Sequence, residues 1–423
     1  MSIEPSLTTY GLLGKTLGYS YSPLIHKALG NDAYSLYERQ PDELDQFFAN
    51  PVLQGLNITI PYKVKALEAC STVSSIAKRI GCVNTMVRRK NGWYGHNTDY
   101  DGFLFMLDAA GISVPGKKVV ILGDGATAHT IHLALEDLDA KEILHLSRKE
   151  PPYYSDAKAI GKDADILINV TPVGMFPDCP KSLVNLDDFP NLEAVADVVY
   201  NPYRTELLIE AEKRGLIYTD GLAMLVGQAV AAAKLFLNKD FTHEDTVQLV
   251  KSIRRNQENI VLIGMPGVGK TTVGETLCKL LKRPIIDCDV IFEEHYGHPS
   301  KYIATHGEAA FREKETALLR DITKETGSII ATGGGVITRP ENYPMLRQNS
   351  RIYWLCRPLE SLDTSGRILS NGGLERLQAL YKVREPLYTA FAQVTVNYTT
   401  PENGAQQIAQ EFEDHYNNLY LPK

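Results

Sequence analysis

Short apolar runs, bounded by Gly, Pro and charged residues, alternate along this chain with longer stretches of helical periodicity, the pattern of α/β units. Runs at 10–14, 56–60 and 83–88 predict strands among helical stretches in the first hundred residues. Residues 117–123 (KKVVILG) predict a buried strand, and a glycine-containing turn then opens a helix over 126–138. Strands at 143–146, 166–170 and 194–199 continue the alternation, as in a parallel doubly wound sheet. Residues 222–237 form an apolar, alanine-rich helical stretch, and polar 251–258 (KSIRRNQE) predicts a linker. Strands at 260–263, 284–288, 328–332, 351–356 and 393–397 follow, separated by helices, so a further α/β unit is expected. No internal repeat or low-complexity tract interrupts the pattern.

Composition narrows the class. With 423 residues, 44% hydrophobic and 22% charged, the chain is an ordinary globular one, long enough for two to four units of roughly 100–200 residues. A net charge of −7 without a long basic run argues against a nucleic-acid-binding surface. No secretory leader is expected, and no apolar run approaches the roughly 20 residues of a membrane span. Six scattered cysteines form neither a CxxC pair nor a zinc-like cluster, so reduced thiols in a cytoplasmic protein are the expectation.

Two glycine-rich turns carry the first chemistry. Gly264-Met265-Pro266-Gly267-Val268-Gly269-Lys270-Thr271 follows one strand and opens a helix predicted over 271–281. Glycines there let successive backbone N–H groups close around a phosphate, while Lys270 meets the outer phosphates and the Thr271 hydroxyl can hold Mg²⁺. This context predicts nucleotide binding. Gly123-Asp124-Gly125-Ala126-Thr127-Ala128 likewise joins a strand to a helix, where a pyrophosphate could rest on the helix N-terminus. Ala128 replaces the last glycine of that motif, so an ordinary tight turn fits as well. The next strand ends in Ser147-Arg148-Lys149, where an NAD site would place an acid. That cluster suits a 2′-phosphate and favours NADP, although a solvated basic turn has the same composition.

The first half then shows four blocks in order: Ser20-Tyr21-Ser22-Pro23-Leu24-Ile25-His26, Gly55-Leu56-Asn57-Ile58-Thr59-Ile60-Pro61-Tyr62-Lys63, Gly81-Cys82-Val83-Asn84-Thr85 and Asn97-Thr98-Asp99-Tyr100-Asp101-Gly102. With NVTPVGM from Asn169, the Asp197 to Tyr200 run and GLAMLVGQ from Gly221, this set resembles the shikimate dehydrogenase family through about residue 250. The resemblance implies Lys63 as acid–base residue with Asp99 as its partner, and Ser20, Ser22, Thr59, Asn84, Asp99, Tyr200 and Gln228 as further substrate contacts. It implies NADP binding by Gly123, Asp124, Gly125, Ala126, Thr127, Ser147, Arg148, Lys149, Thr171, Val198, Gly221 and Met224. The chemistry is consistent: ketone reduction needs a hydride donor at the carbonyl carbon and a proton donor at its oxygen. Two serines at 20 and 22, with no bulkier threonine, lean toward shikimate over quinate.

The second half adds Asp287-Cys288-Asp289 at a strand end, Phe311-Arg312-Glu313-Lys314-Glu315, Gly333-Gly334-Gly335 and Arg384-Glu385-Pro386-Leu387-Tyr388. With the phosphate loop this order resembles shikimate kinase, over 259 to about 415. The resemblance implies ATP binding by Gly267, Val268, Gly269, Lys270, Thr271, Thr272 and the lid residue Arg367, with Thr271 and Asp287 attending Mg²⁺. It implies that Asp289, Arg312, Gly333, Gly334, Gly335 and Arg384 bind the acid substrate, with Asp289 accepting or orienting the reacting hydroxyl. Gly366-Arg367-Ile368-Leu369 lacks the proline of the family's lid, and Thr364 stands near an expected arginine.

Together the resemblances imply consecutive reactions: NADPH-dependent reduction of 3-dehydroshikimate, then ATP-dependent phosphorylation of shikimate. The expected organisation is a substrate domain (1–101 and 221–250), a Rossmann-like NADP domain (102–220), a linker (251–258) and a P-loop domain with a parallel sheet like that of the nucleoside-monophosphate kinases (259–423). Partners are small molecules; a homo-oligomer is compatible with the family but not required. The competing readings are a quinate/shikimate dehydrogenase joined to another hydroxy-acid kinase, and a dehydrogenase carrying a degenerate nucleotide-binding regulatory module.

Overall fold

The computed structural model describes residues 9–18, 20–362 and 373–419. Sixteen strands form three sheets among the described residues. The first contains β1 (Tyr10–Gly14), β2 (Tyr34–Glu38), β3 (Gly55–Ile58), β4 (Thr72–Val73), β5 (Thr85–Arg89) and β6 (Gly92–His96), in the order β2-β1-β3-β5-β6-β4. It is mixed: β1 runs parallel to β2 and β3, whereas β5 is antiparallel to both β3 and β6. The second contains β7 (Lys118–Leu122), β8 (Glu142–Leu146), β9 (Ile166–Asn169), β10 (Ala194–Asp197) and β11 (Ile217–Thr219), all parallel, in the order β11-β10-β9-β7-β8. The third contains β12 (Asn259–Gly264), β13 (Ile285–Asp287), β14 (Ile329–Ala331), β15 (Ser350–Cys356) and β16 (Val394–Asn397), also parallel, ordered β13-β14-β12-β15-β16.

The central strands are apolar because parallel sheets are covered on both faces. Every residue of β9, β10 and β12 is buried. Helix Gly221–Leu237 returns from the second sheet to cover the first and packs along helix Thr98–Ala110. The crossing is close: a Cβ on Gly102 would lie 2.5 Å from the Met224 carbonyl oxygen, and one on Gly227 would lie 3.0 Å from the Phe105 ring. Helix contact at that distance sets Asp99 and Gln228 on facing walls of one cleft. Among the described residues no helix is long and apolar enough to cross a membrane.

The structure corrects one expectation. Residues 251–257 are not a linker but the second half of helix His243–Gln257, which opens on a Thr242–Asp245 capping box. Val247, Val250, Ile253 and Arg254 form its buried face. Its polar composition hid this face because the cations in it are paired. Arg254 bonds Asp220, and Lys251 Nζ donates to the Asn417 carbonyl at 3.2 Å. Only Glu258 separates the helix from β12.

Candidate active sites

Sheet ends and helix starts build the first site. Lys63 is the first residue of helix Lys63–Ala69, which follows β3, and Asp99 is the second of helix Thr98–Ala110, which follows β6. Asn97 caps that second helix, its Oδ1 accepting from Asp99 N–H at 3.1 Å. Lys63 Nζ donates to Asp99 Oδ2 at 2.5 Å, with side chains 18% and 17% exposed. Burial lowers the Lys63 pKa, but the charge and hydrogen bond of Asp99 more than offset it and leave it above the ordinary lysine value. At neutral pH this lysine is therefore a cation able to give up a proton.

The pair opens into a cleft of about 330 Å³. All eight residues expected to hold the dehydrogenase substrate line it: Ser20, Ser22, Thr59, Lys63, Asn84, Asp99, Tyr200 and Gln228. Thr127, Val198, Gly221 and Met224, expected at the cofactor, line the same cleft. Asn84 Oδ1 accepts from Thr98 N–H at 2.7 Å, which leaves the amide nitrogen for a ligand. Gln228 donates its amide to the Leu225 carbonyl at 2.9 Å and keeps its oxygen free of that bond.

Asn57, which also lines the cleft, is the hub of a buried network to which no role was assigned from the sequence. Asn57 Oδ1 accepts from the Tyr34 hydroxyl at 2.8 Å and meets His26 Nε2 at 3.2 Å, while Asn57 Nδ2 donates to Thr85 Oγ1 at 3.0 Å. Thr85 in turn donates to Asn84 Oδ1 at 3.1 Å. Burial pushes the His26 pKa down to about 4, so its ring is neutral. His26 and Asn57 stand inside the conspicuous motifs, and that position was the available signal.

The cofactor turn joins β7 to helix Ala126–Asp137. Gly123 has φ +125°, and a Cβ there would lie 2.8 Å from Val170 and 3.1 Å from Thr171, so those two residues form the floor beneath the turn. Asp124, Gly125 and Ala126 are exposed, and Thr127 half-buried, at the helix start. Arg148 and Lys149 are exposed beyond β8. Ser147 departs from expectation. It is buried, and its hydroxyl donates to the Glu150 carbonyl while accepting from Lys149 N–H and Glu150 N–H. It shapes the turn, and only Arg148 and Lys149 of the three keep their side chains exposed.

The second site surrounds β12 and β14. Gly267 and Gly269 have φ +80° and +98°, so the loop curls as its glycines permit. Lys270 Nζ folds back to the Gly264 and Met265 carbonyls at 3.0 and 3.1 Å, Thr272 follows in the first helical turn, and the Tyr398 hydroxyl donates to the Val268 carbonyl. Thr271 Oγ1 donates to Asp287 Oδ2 at 2.7 Å, while Asp287 Oδ1 caps helix Cys288–Tyr296.

Across the loop, Gly333, Gly334 and Gly335 form a wedge that admits no side chain. A Cβ on Gly334 would lie 2.8 Å from Pro266, and one on Gly335 2.0 Å from the Arg312 guanidinium. A Cβ on Gly333 would meet Glu315 Oε1 at 2.4 Å and Asp289 Oδ1 at 3.3 Å. Arg384 and Tyr388 both donate to the Gly334 carbonyl, at 3.1 and 2.5 Å. Hence Asp289, Arg312, Arg384 and the glycine backbone converge on one place.

Glu315 belongs there too, although no role was expected for it. It accepts from Arg312 Nη1 at 2.7 Å, and burial raises its pKa in spite of that cation. Its Oε1 is buried with no hydrogen-bond partner, as is Arg312 Nε; such orphaned groups are costly unless a ligand meets them. The i,i+3 spacing of Arg312 and Glu315 was the sequence signal. Arg367 lies outside the described residues.

A model of the shikimate dehydrogenase substrate binding domain matches residues 12–86, and a model of shikimate kinase matches 266–416. A shikimate dehydrogenase (NADP(+)) from Clostridium perfringens is 35% identical over 252 residues, 54% of this chain and 91% of the relative. Among solved structures, a chorismate mutase/shikimate 5-dehydrogenase fusion protein from Clostridium acetobutylicum is similar, with TM-score 0.55 and 30% identity. It covers 59% of this chain and 97% of its own. Shikimate dehydrogenase 1 from Peptoclostridium difficile gives TM-score 0.52 and 34% identity, over 58% and 97% respectively.

Proposed function

We infer the activity from this premise: the chain belongs to the shikimate dehydrogenase family, and a shikimate kinase domain follows on the same polypeptide. It is a bifunctional shikimate-pathway enzyme, reducing 3-dehydroshikimate to shikimate with NADPH and then phosphorylating shikimate with ATP. The observation that carries the first activity is the Lys63–Asp99 pair inside a cleft shared by substrate-side and cofactor-side residues. NADPH supplies the hydride and MgATP the phosphoryl group; the remaining work falls to the protein.

In the first cleft we assign Lys63 Nζ to donate the proton to the carbonyl oxygen as the alcohol forms, and to recover it from water. Asp99 holds the ammonium in place. Ser20, Ser22, Thr59, Asn84, Tyr200 and Gln228 orient the ring hydroxyls and carboxylate. Arg148 and Lys149 would hold a 2′-phosphate. Replacing both with alanine should raise the KM for NADPH about ten-fold or more and leave that for NADH nearly unchanged. Equal effects on the two cofactors would reject the assignment.

In the second cleft the loop amides and Lys270 hold the ATP phosphates. The hydroxyl–carboxylate pair Thr271–Asp287 suits Mg²⁺, which commonly keeps several waters and takes few protein oxygens beside phosphate. Arg312 and Arg384 grip the substrate carboxylate, and Asp289 accepts or orients the reacting hydroxyl. This convergence weighs against a degenerate regulatory module. The six cysteines are all free, which agrees with a cytoplasmic enzyme.

One incubation tests the whole reading: purified protein with 3-dehydroshikimate, NADPH, ATP and Mg²⁺. NADPH oxidation should precede ADP release, and ADP release should require either reduction or added shikimate. ATP turnover indifferent to shikimate would defeat the kinase assignment.

A further inference from the structure

The two catalytic halves meet along a buried polar seam that reaches the loop carrying Tyr200. After β10 the chain passes through Tyr200, Asn201, Pro202, Tyr203 and Arg204 before helix Glu206–Lys213. Kinase-side acceptors hold this loop by its backbone. Tyr203 N–H donates to Asn349 Oδ1 at 2.9 Å, and Arg204 N–H donates to the Gln348 carbonyl at 2.9 Å. Both partners immediately precede β15, the neighbour of the phosphate-loop strand. Asn349 is 1% exposed, and its Nδ2 finds no partner, so its amide serves the seam through its oxygen.

Ionic contacts flank these two bonds. Arg204 Nη1 donates to Glu258 Oε1 at 2.7 Å, and Glu258 is wholly buried just before β12. Arg347 Nη2 bonds Glu212 at 2.5 Å. On the dehydrogenase side, the Arg254 guanidinium lies 4.9 Å from the Tyr203 ring centroid and pairs with Asp220, the N-cap of the helix bearing Met224 and Gln228. Tyr200 packs edge-on against Tyr21 at 5.6 Å, between the two cleft serines in sequence. A buried backbone N–H must be satisfied, and two such groups of this substrate loop find their acceptors in the other enzyme.

We propose that Asn349, in the kinase half, is a positioning residue for the dehydrogenase: by accepting from Tyr203 N–H it holds the Tyr200 loop in its substrate-binding conformation. The kinase half thus completes the dehydrogenase cleft. This rests on the assignment of Tyr200 to that cleft. Asn349 lies just before Ser350, the first residue of β15, whose other end is Cys356, so loss of the side-chain bond need not touch the ATP site.

The full-length Asn349→Ala enzyme should show a KM for 3-dehydroshikimate raised about five- to ten-fold, from loss of one buried bond. Its dehydrogenase kcat should stay within about two-fold, and its KM for NADPH and both kinase constants should not change. Asn349→Asp, which keeps the acceptor, should restore most of the affinity. An unchanged KM in the alanine variant, equal damage to both activities, or failure of aspartate to rescue would each overturn the proposal. Tyr200→Phe separates the two levels. It should raise the same KM; if it does not while Asn349→Ala does, Tyr200 is not the element being positioned and the proposal falls as stated.

Discussion

The Lys63→Ala enzyme should lose about three orders of magnitude in dehydrogenase turnover, with the KM for 3-dehydroshikimate changed only a few-fold and shikimate phosphorylation intact. The size follows from the usual worth of a positioned proton donor, ~10²–10⁴-fold. The split between kcat and KM follows from the proposed binding roles of Ser20, Ser22, Asn84, Tyr200 and Gln228, which still line the cleft in the variant. Folding should survive. Asp99 keeps its place in the first turn of its helix, where the helix dipole favours an anion. The loss of one partially exposed ion pair costs on the order of 1 kcal/mol. Single-turnover hydride transfer at saturating NADPH measures it, and near-normal turnover would remove Lys63 from the chemistry. The raised pKa also fixes the sign of a pH effect. In the wild type the protonated lysine persists through neutral pH, so reduction should fall only as pH climbs toward that raised value.

A comparable loss is expected in the other half for Asp289→Asn, about 10²–10³-fold in kinase turnover, with the dehydrogenase untouched. Asparagine keeps the shape beside Gly333 but cannot take a proton from the substrate hydroxyl. Glu315→Gln should behave differently. Its carboxyl is buried and already costly to ionise, so the neutral isostere relieves that cost, and Glu308 still pairs with Arg312 at 3.1 Å. What changes is how firmly Arg312 is held, so the KM for shikimate should rise several-fold with a smaller change in kcat. If both variants lost only affinity, Asp289 would be a binding group and not a participant in phosphoryl transfer.

Much of this was legible in the sequence because the informative residues sit at strand ends and helix starts, where pattern and chemistry coincide. The strands at 10–14, 166–169, 194–197 and 259–264 stand out because buried parallel strands are continuous apolar runs. Lys63 and Asp99 come from separate motifs 36 residues apart, and only the family resemblance carried by the ordered motifs implied that they pair. Strands β2 and β6 were missed because Tyr34–Glu38 and Gly92–His96 mix aromatic, polar and glycine residues and lack an apolar run.

Three failures share one cause, which is that sequence pattern does not reveal what a polar group pairs with. The stretch 251–257 read as solvated because Arg254 and Lys251 are charged, and their partners Asp220 and Asn417 lie far away in the chain. Ser147 read as a ligand donor, but its hydroxyl is spent on its own turn. Glu258, the last residue of the stretch expected to be a linker, is wholly buried. Burial pushes its pKa up, but Arg204 and Arg347 hold it down at about 2. Removing either side of such a pair strands a charge in the interior, which typically costs ~3–5 kcal/mol.

The continuity of helix His243–Gln257 into β12 bears on how an intermediate passes from one reaction to the next. A flexible tether would let one catalyst sample a sphere around the other, with a local concentration set by tether length. A helix that hands over to a strand across one residue leaves no slack for such sampling. Neither half can swing toward the other like an arm. Shikimate leaving the reductase is therefore not carried by a swinging domain, and its capture depends on the placement of the two openings and on competition with bulk solvent.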